Sequence, residues 1–600
     1  MIRSPLRPLI RILAAREKGI NPDVIESQEK IKRLTQKIIL EKNRAQHRIL
    51  LLMCMFTFTF ALIGVKMFVL ASYVPSHLSK ATKLNILDNS RNKITDRNGI
   101  VLATNLKTYS LYVHPHELID KHDVALKLSR IFSSLTSNNL MQKFSDGRKF
   151  VWIKKRVSPE EKDKVKNLGE PGVYFGPRET RLYPNGRFAA HILGGTTFGR
   201  EGVNSAELIG QAGVELSYNN HLIDSENGDL NLSIDLPIQG IIEKVLAGGV
   251  KIMNARGGSA ILMDVHSGQL IALASLPDFD PNARPSLPRH GDPSVSPLFN
   301  RAAQGIYELG STFKIFTAAQ VLEDGIASID TILDIRGPLY FGKYKIRDHH
   351  YLGEKLTVEE IMVKSSNIGT ARLAAMIGAE RQRQFLQKLG LLDLTGVELP
   401  EASRAKPQIP KKWSKLSTAT ISYGHGISVS PLHIAMAYST IVNGGKKILP
   451  TLLKNSEKNI SPEIVFSNDT SVKLQAILKK VVLSGTARNA ALDDYSIGGK
   501  TGTADKVNFS KPGYHDDKVI TTFVATFPME RPQYVLVVTL DEPEDRSIDK
   551  PMRTAGWTAV PVATEIIMRI APILGIEPNT MVDKFNIKFP TPCIDFDLFF

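Results

Sequence analysis

Ser311 and Lys314 stand three residues apart at the start of the apolar stretch STFKIFTAAQVLEDG, directly behind Gly310. A serine hydroxyl is a poor nucleophile at neutral pH and needs a neighbouring base. A lysine can be that base once burial and nearby cations lower its pKa. Helical spacing puts both residues on one face, at a helix start whose backbone N–H groups favour developing negative charge. The helix is expected to begin at Ser311 and to stop near Gly325. The same S-x-x-K spacing recurs at Ser27, Ser90, Ser403 and Ser547, but none of these opens a long apolar helix behind a glycine.

Two further stretches extend this chemistry. Ser365-Ser366-Asn367 follows LTVEEIMVK, whose Thr357 and Glu360 form a capping box for a short helix. A second helix comes after, so the triplet sits at a junction where polar side chains can face a cleft. Ser365 suits a proton relay between nucleophile and leaving amine, and Asn367 suits a grip on a peptide carbonyl. Helix capping is the other use of such residues.

The third stretch, Lys500-Thr501-Gly502-Thr503, follows Gly498-Gly499 and resembles the end of a phosphate-binding loop. That loop needs a glycine five residues before Gly499, where this chain has Asp494, and its flanks should be a buried strand and a helix. The flanks here are turn formers without helical periodicity. The alternative is an edge strand with Lys500 pointing into a cleft and Gly502 leaving room for a substrate backbone. Ser-x-x-Lys, Ser-x-Asn and Lys-Thr-Gly, in that order in one domain, form the signature of penicillin-recognising serine enzymes.

The elements that must position these residues are legible in outline. The 600 residues suffice for several cored domains, and 42% hydrophobic with 23% charged residues is ordinary for folded protein. The formal charge is +16, of which residues 1–48 contribute +7 through twelve Lys/Arg and five Asp/Glu. No nucleic-acid motif accompanies the excess, so no nucleic-acid partner is expected. The two cysteines, Cys54 and Cys593, exclude a disulfide scaffold and a cysteine metal site. Ile49–Val65 followed by Lys66 and MFVLASYV is long enough to cross a bilayer. Its 48-residue polar lead-in is too long for a signal peptide. Seven Lys/Arg in residues 30–48 against four in 75–93 favour a cytoplasmic N-terminus.

The expected organisation is a basic arm over 1–48, a transmembrane anchor over 49–74, a mixed α/β pedestal over 75–235, an α/β domain over 236–575 and a tail over 576–600. The arm is either a surface or partner helix or a disordered tail. The pedestal shows β-like runs such as TYSLYVH and GVYFG and a helical HDVALKLSRIFSSL. The larger domain opens with a helix carrying Pro237 near its N-terminus. It continues through GGSAILMDVHSGQLIALASLPDFDPN, an alternating hairpin about Ser267-Gly268.

With these motifs on the page, the chain resembles the class B penicillin-binding proteins, especially the cell-division transpeptidases (FtsI-like). KITDRNGIVLATN, with Asp96, Arg97 and Gly99, resembles the opening motif of their non-catalytic domain. Arg181, Tyr183, Pro184, Gly213 and Glu215 lie in stretches similar to its later motifs, and YGHGISVSPLHIAMAY resembles the division subgroup. His425 stands there in place of a more usual aromatic residue, the opening motif lacks paired arginines, and the arm is long for the family.

The resemblance implies an α/β (α+β) transpeptidase domain, an antiparallel sheet flanked by helices plus a helical lobe, on a pedestal and one transmembrane helix. It implies Ser311 as nucleophile, Lys314 as base, Ser365, Asn367 and Lys500 as catalytic, and Thr501, Gly502 and Thr503 as substrate-binding, with backbone N–H groups of Ser311 and Thr503 as oxyanion hole. It implies cross-linking of D-Ala-D-Ala stem peptides through an acyl-enzyme, β-lactams as mimics of the donor, no cofactor and no metal. It further implies a single pass through the inner membrane with a periplasmic catalytic domain, and a glycan polymerase and division proteins as partners.

Elongation rather than division, D,D-carboxypeptidase or β-lactamase activity, a β-lactam receptor and a division scaffold are the alternatives. Asp348-His349-His350 reads as a polar loop rather than a metal site. Asp541, Glu542, Glu544 and Asp545 read as a solvated turn rather than a calcium site.

Overall fold

The computed structural model describes residues 9–19, 21–72, 91–201, 206–287, 290–456, 458–508, 513–546 and 551–579. Most of the expected tail, with Cys593, lies outside these residues, as do Ser90, Ser547 and the first part of the expected pedestal. The chain divides into two compact units, Met1–Ile86 and Leu87–Phe600.

In the first unit, helix Leu9–Glu17 precedes a 51-residue helix, Pro22–Ser72. Arg11 bridges to Glu29 at 2.9 Å. The described part of the arm is thus largely helical, and its expected boundary with the apolar stretch at residue 48 falls inside one uninterrupted helix. At about 1.5 Å per residue, this helix far exceeds the ~30 Å of a bilayer core. Its apolar part, from Ile49 to Phe68, exposes its large side chains. Among the described residues it is the one helix long and apolar enough to cross a membrane.

The second unit opens with a five-stranded sheet. Its central strand, Val101–Val113, pairs antiparallel with Val151–Val157 on one side and Val173–Leu182 on the other. Leu111, Val113, Val151 and Ile153 point to one face, where helices Lys121–Ile131 and Ser137–Ser145 cover them with Val124, Leu128, Leu140 and Phe144.

The motif residues of this region converge on one buried carboxylate. Glu215, fully buried, takes Arg91 at 2.6 Å and Arg181 at 2.7 Å, with the Tyr183 hydroxyl at 3.3 Å. Asp96 accepts from the backbone N–H groups of Asn98 and Ile100 through one oxygen. Its other oxygen accepts from Leu236 N–H at 3.1 Å, so it ties the opening turn to the first helix of the next region.

That helix, Leu236–Ile252, is capped by Asp235 and has its proline in the first turn. It packs on a second, antiparallel five-stranded sheet in the order Gly498–Val507, Tyr514–Phe527, Tyr534–Asp541, Gly257–Asp264, Leu270–Leu276. The last two strands are the expected hairpin, pairing Gly258 with Leu276 and Met263 with Leu270. The expected alternation of buried and exposed residues is absent, because both faces are covered. Ile261, Met263, Val524, Val535 and Val537 face helices Pro431–Val442 and Lys314–Glu323. Ala260, Leu262, Phe523, Leu536 and Val538 face Leu236–Ile252 and Ala559–Ile570. A strand buried on both sides keeps period two in direction while losing it in hydrophobicity.

The acidic cluster is also corrected. Asp541, 2% exposed, ends its strand against Lys506 at 2.6 Å. Glu542 pairs with Lys506 and Lys518, and Glu544 with Arg546 and Arg553. Basic residues from neighbouring segments neutralise it, so it is a paired junction and not a solvated turn.

Removing the carboxylate of Glu215 strands two buried guanidinium groups, a loss of about 3–5 kcal/mol. Glu215→Ala should lower the unfolding free energy of the purified full chain by that amount, read as a lower midpoint in chemical denaturation. An unchanged midpoint would show that water satisfies the arginines.

Candidate active site

Local structure assembles the three motifs from three directions. Gly310–Phe313 form a 3-10 turn, and the α-helix begins only at Lys314, ending before Gly325. Ser311 therefore precedes the helix expected to start with it. The spacing survives the change, because residues three apart eclipse in a 3-10 turn.

Helix Val358–Val363 has the expected capping box of Thr357 and Glu360. After Lys364 the chain turns at Ser365, a non-glycine residue at φ +59°. Such left-handed geometry costs on the order of 1–3 kcal/mol and persists only where its surroundings impose it. Ser366 then caps helix Asn367–Ile377 by accepting from Gly369 N–H. Capping thus falls to the middle residue of the triplet.

Asp348 secures this junction. It accepts from the Ser366 hydroxyl at 2.8 Å and from the backbone N–H groups of Asn367 and Ile368. The side chain of Asn367 donates to the Arg347 carbonyl at 3.0 Å, tying down the same loop. Asn367, like Lys314 and Lys500, is absent from the cavity lining.

The third motif lies on the edge strand, as expected. Lys500 pairs with Val524, whose side chain faces the helical lobe, so period two aims Lys500 the same way. Gly502 shares that face. A Cβ there would lie 2.2 Å from the Leu309 carbonyl oxygen and 2.9 Å from the Thr312 methyl. The space expected for a substrate backbone is filled by the turn that carries Ser311.

These elements bring two ammonium groups onto one hydroxyl. Lys314 and Lys500 are both 0% exposed. Each places Nζ 3.0 Å from Ser365 Oγ. Lys314 Nζ also donates to the Ser365 carbonyl, a contact the left-handed turn makes available. Lys500 Nζ donates to the Thr501 carbonyl at 3.2 Å.

Burial, and then repulsion from Lys500, holds Lys314 well below the usual lysine range, with Asp348 opposing. Burial brings Lys500 down to about 7. Both shifts act against the pair keeping two charges.

A cavity of about 580 Å³ opens over this group, lined by Ser311, Ser365, Thr501 and Thr503. Thr501 Oγ1 lies 2.7 Å from Thr486 Oγ1. Thr503 Oγ1 accepts from Ala555 N–H at 3.0 Å, leaving its own proton to donate.

The wall also includes His349, His350, Thr486, Arg488, Asn489 and Trp557. Sequence reasoning left these aside. The histidines read as a loop, and the others carry no pattern except their nearness to the Lys-Thr-Gly strand. His425 is half-buried against Tyr423 and Tyr514, with ring centroids 5.3 and 6.2 Å away, so it takes the place of an aromatic by packing as one.

Residues 258–567 match the penicillin-binding protein transpeptidase domain, and residues 87–229 the penicillin-binding protein dimerisation domain. The chain belongs to the penicillin-binding protein transpeptidase family. It is a class B penicillin-binding protein of FtsI type and a peptidoglycan D,D-transpeptidase.

The probable peptidoglycan D,D-transpeptidase FtsI of Caulobacter vibrioides is 35% identical over 504 residues, covering 82% of this chain and 83% of that protein. The probable peptidoglycan D,D-transpeptidase PenA of Neisseria meningitidis is 30% identical over 538 residues, covering 86% and 89%. Penicillin-binding protein 3 of Mycobacterium tuberculosis, solved in complex with aztreonam, shares the fold at TM-score 0.62 and 24% identity, covering 82% of this chain and 97% of that one.

In this penicillin-binding protein, overpacking at Gly502 should push the Ser311 turn off the strand. With about 1–3 kcal/mol at stake, Gly502→Ala is expected to lower transpeptidation turnover about tenfold or more. Wild-type turnover in that variant would show that the turn does not depend on the strand for its position.

Proposed function

We propose that this penicillin-binding protein cross-links stem peptides during septal wall synthesis through an acyl-enzyme on Ser311. The observation that carries the reading is the pair of buried lysine Nζ atoms, each 3.0 Å from Ser365 Oγ. A neutral lysine amine has two N–H bonds and one lone pair. Lys314 directs N–H bonds at the Ser365 carbonyl and hydroxyl, which leaves the lone pair for the proton of Ser311.

Ser311 Oγ then bonds to the carbonyl carbon of the penultimate D-alanine. The oxyanion is held by the backbone N–H groups of Ser311 and Thr503, whose segments Gly502 brings together. The C–N bond breaks, and the proton passes from Lys314 through Ser365 Oγ to the leaving D-alanine amine. An acceptor amine attacks the ester and returns its proton by the same route. Lys500 and the Thr501 and Thr503 hydroxyls take the terminal carboxylate of the donor. Asn367 holds the Ser365 junction through Arg347 and can spend its remaining amide N–H on the donor peptide. β-Lactams, which present an acyl group beside a carboxylate, acylate the same serine. The aztreonam complex of the mycobacterial neighbour agrees with this.

The helix Pro22–Ser72 supports a single-pass anchor in the inner membrane. The basic excess before it supports a cytoplasmic N-terminus and a periplasmic catalytic domain. The two family matches fall within the pedestal over 75–235 and the transpeptidase domain over 236–575. A glycan polymerase and division proteins are the partners this placement calls for.

Fluorescent penicillin should label the wild-type chain on Ser311, as mapped by mass spectrometry, and leave Ser311→Ala unlabelled. Rapid drug consumption without an adduct would instead identify a hydrolase. The pH dependence has a definite sign. A lysine with a depressed pKa is charged, and useless as a base, only below that pKa. The acylation rate should therefore climb with pH on a limb far below the ordinary lysine value of about 10.4, with apparent pKa values belonging to the lysine pair. A limb near 10 would sink Lys314 as the base.

A further inference from the structure

The pedestal sheet has a second face, and its edge carries residues that the transpeptidase reaction does not use. Strand Val101–Val113 runs into the turn His114-Pro115-His116-Glu117, closed by Glu117 N–H donating to the His114 carbonyl. His114, His116 and Glu117 bring a ligand atom each to within 4.8 Å of one another. His116 Nε2 and Glu117 Oε1 are already 3.3 Å apart. That is about the edge of a tetrahedron whose metal–ligand bonds are ~2.0–2.1 Å.

The set is held and not merely adjacent. Pro115 fixes φ at the second position of the turn. His114 N–H donates to the Gly172 carbonyl at 2.9 Å. A Cβ at Gly172 would lie 2.9 to 3.0 Å from the backbone of His114, Glu117 and Leu118, so glycine is required for the turn to seat this closely. The Tyr174 hydroxyl donates to Glu117 Oε2, fixing the carboxylate as an outer partner does in a metal site. The imidazole of His114 stands edge-on to the rings of Tyr174 and Tyr112, at 5.0 and 5.6 Å, which sets its plane. Cross-strand pairing of Tyr112 with Tyr174 places both rings on the face opposite the helices. The side chain of His116 is 57% exposed, so its ring has room to turn toward the held carboxylate of Glu117.

We propose that His114, His116 and Glu117 bind a divalent transition-metal ion, with Zn²⁺ the best fit to two imidazoles and one carboxylate. Three protein ligands leave the fourth position to water. The site stands on the pedestal, away from the Ser311 cavity, and supplies no group to acyl transfer.

The test is titration of the untagged full chain in detergent with ZnCl₂ against a chromogenic chelator. One saturable equivalent is expected, weakening as the medium is acidified because imidazolium cannot ligate. His116→Ala, at an exposed side chain, should weaken binding at least tenfold. Tyr174→Phe, which only frees the carboxylate, should weaken it about 10–100-fold. X-ray absorption of the loaded protein should show only nitrogen and oxygen neighbours at ~2.0–2.1 Å. Penicillin labelling of Ser311 should be the same in both variants, with or without zinc. Equal affinity in wild type and His116→Ala, or no saturable equivalent, would mean an adventitious ion only and overturn the proposal.

Discussion

Everything near Ser311 follows from confining two buried lysine side chains around one hydroxyl. Two ammonium groups on a single acceptor, both buried, repel each other and lack full hydration. The fold accepts this only because each is forced from a different direction. Lys314 is carried by the first residue of a helix packed in the lobe, and Lys500 by an edge strand whose alternation points it inward. Loss of a proton relieves such crowding, and burial shifts both lysines in that direction.

The same demand accounts for the unusual backbone at Ser365. A left-handed serine is unfavourable alone, yet it lets one residue offer both carbonyl and hydroxyl to Lys314. The strain is held in place by Asp348, which grips the next three residues through two oxygens. Asp348 touches neither lysine Nζ, but it opposes the depression of the Lys314 pKa. One carboxylate therefore braces the junction and moderates the charge it serves.

Rigidity also reaches the site from afar. The central sheet is covered on both faces, so its edge strand cannot shift without disturbing two cores. The pedestal is joined to this body through Asp96 on the N-terminus of Leu236–Ile252, and is itself organised by Glu215 between two arginines. Buried ion pairs of this kind fix geometry more surely than they add stability. Here they align a domain without catalytic groups beneath the one that has them.

The three motifs, their order and the family were legible in sequence, because a nucleophile and its base on one turn must be three residues apart and an edge strand must alternate. The capping box at Thr357 and the long apolar helical segment were legible for the same local reason. Local rules failed where distant groups compete. Gly502 reads as room for substrate until the Leu309 carbonyl is seen filling that room. The acidic run at Asp541 reads as a solvated turn until Lys506 and its neighbours arrive from other strands. Asp348 and the cavity wall carry no periodic signal, since side chains far apart in sequence converge there. The sequence by itself determined which groups are candidates for the chemistry, through spacing along single elements. Only the tertiary structure decided which of them converge on one hydroxyl, because that depends on burial and on distances set by packing between elements.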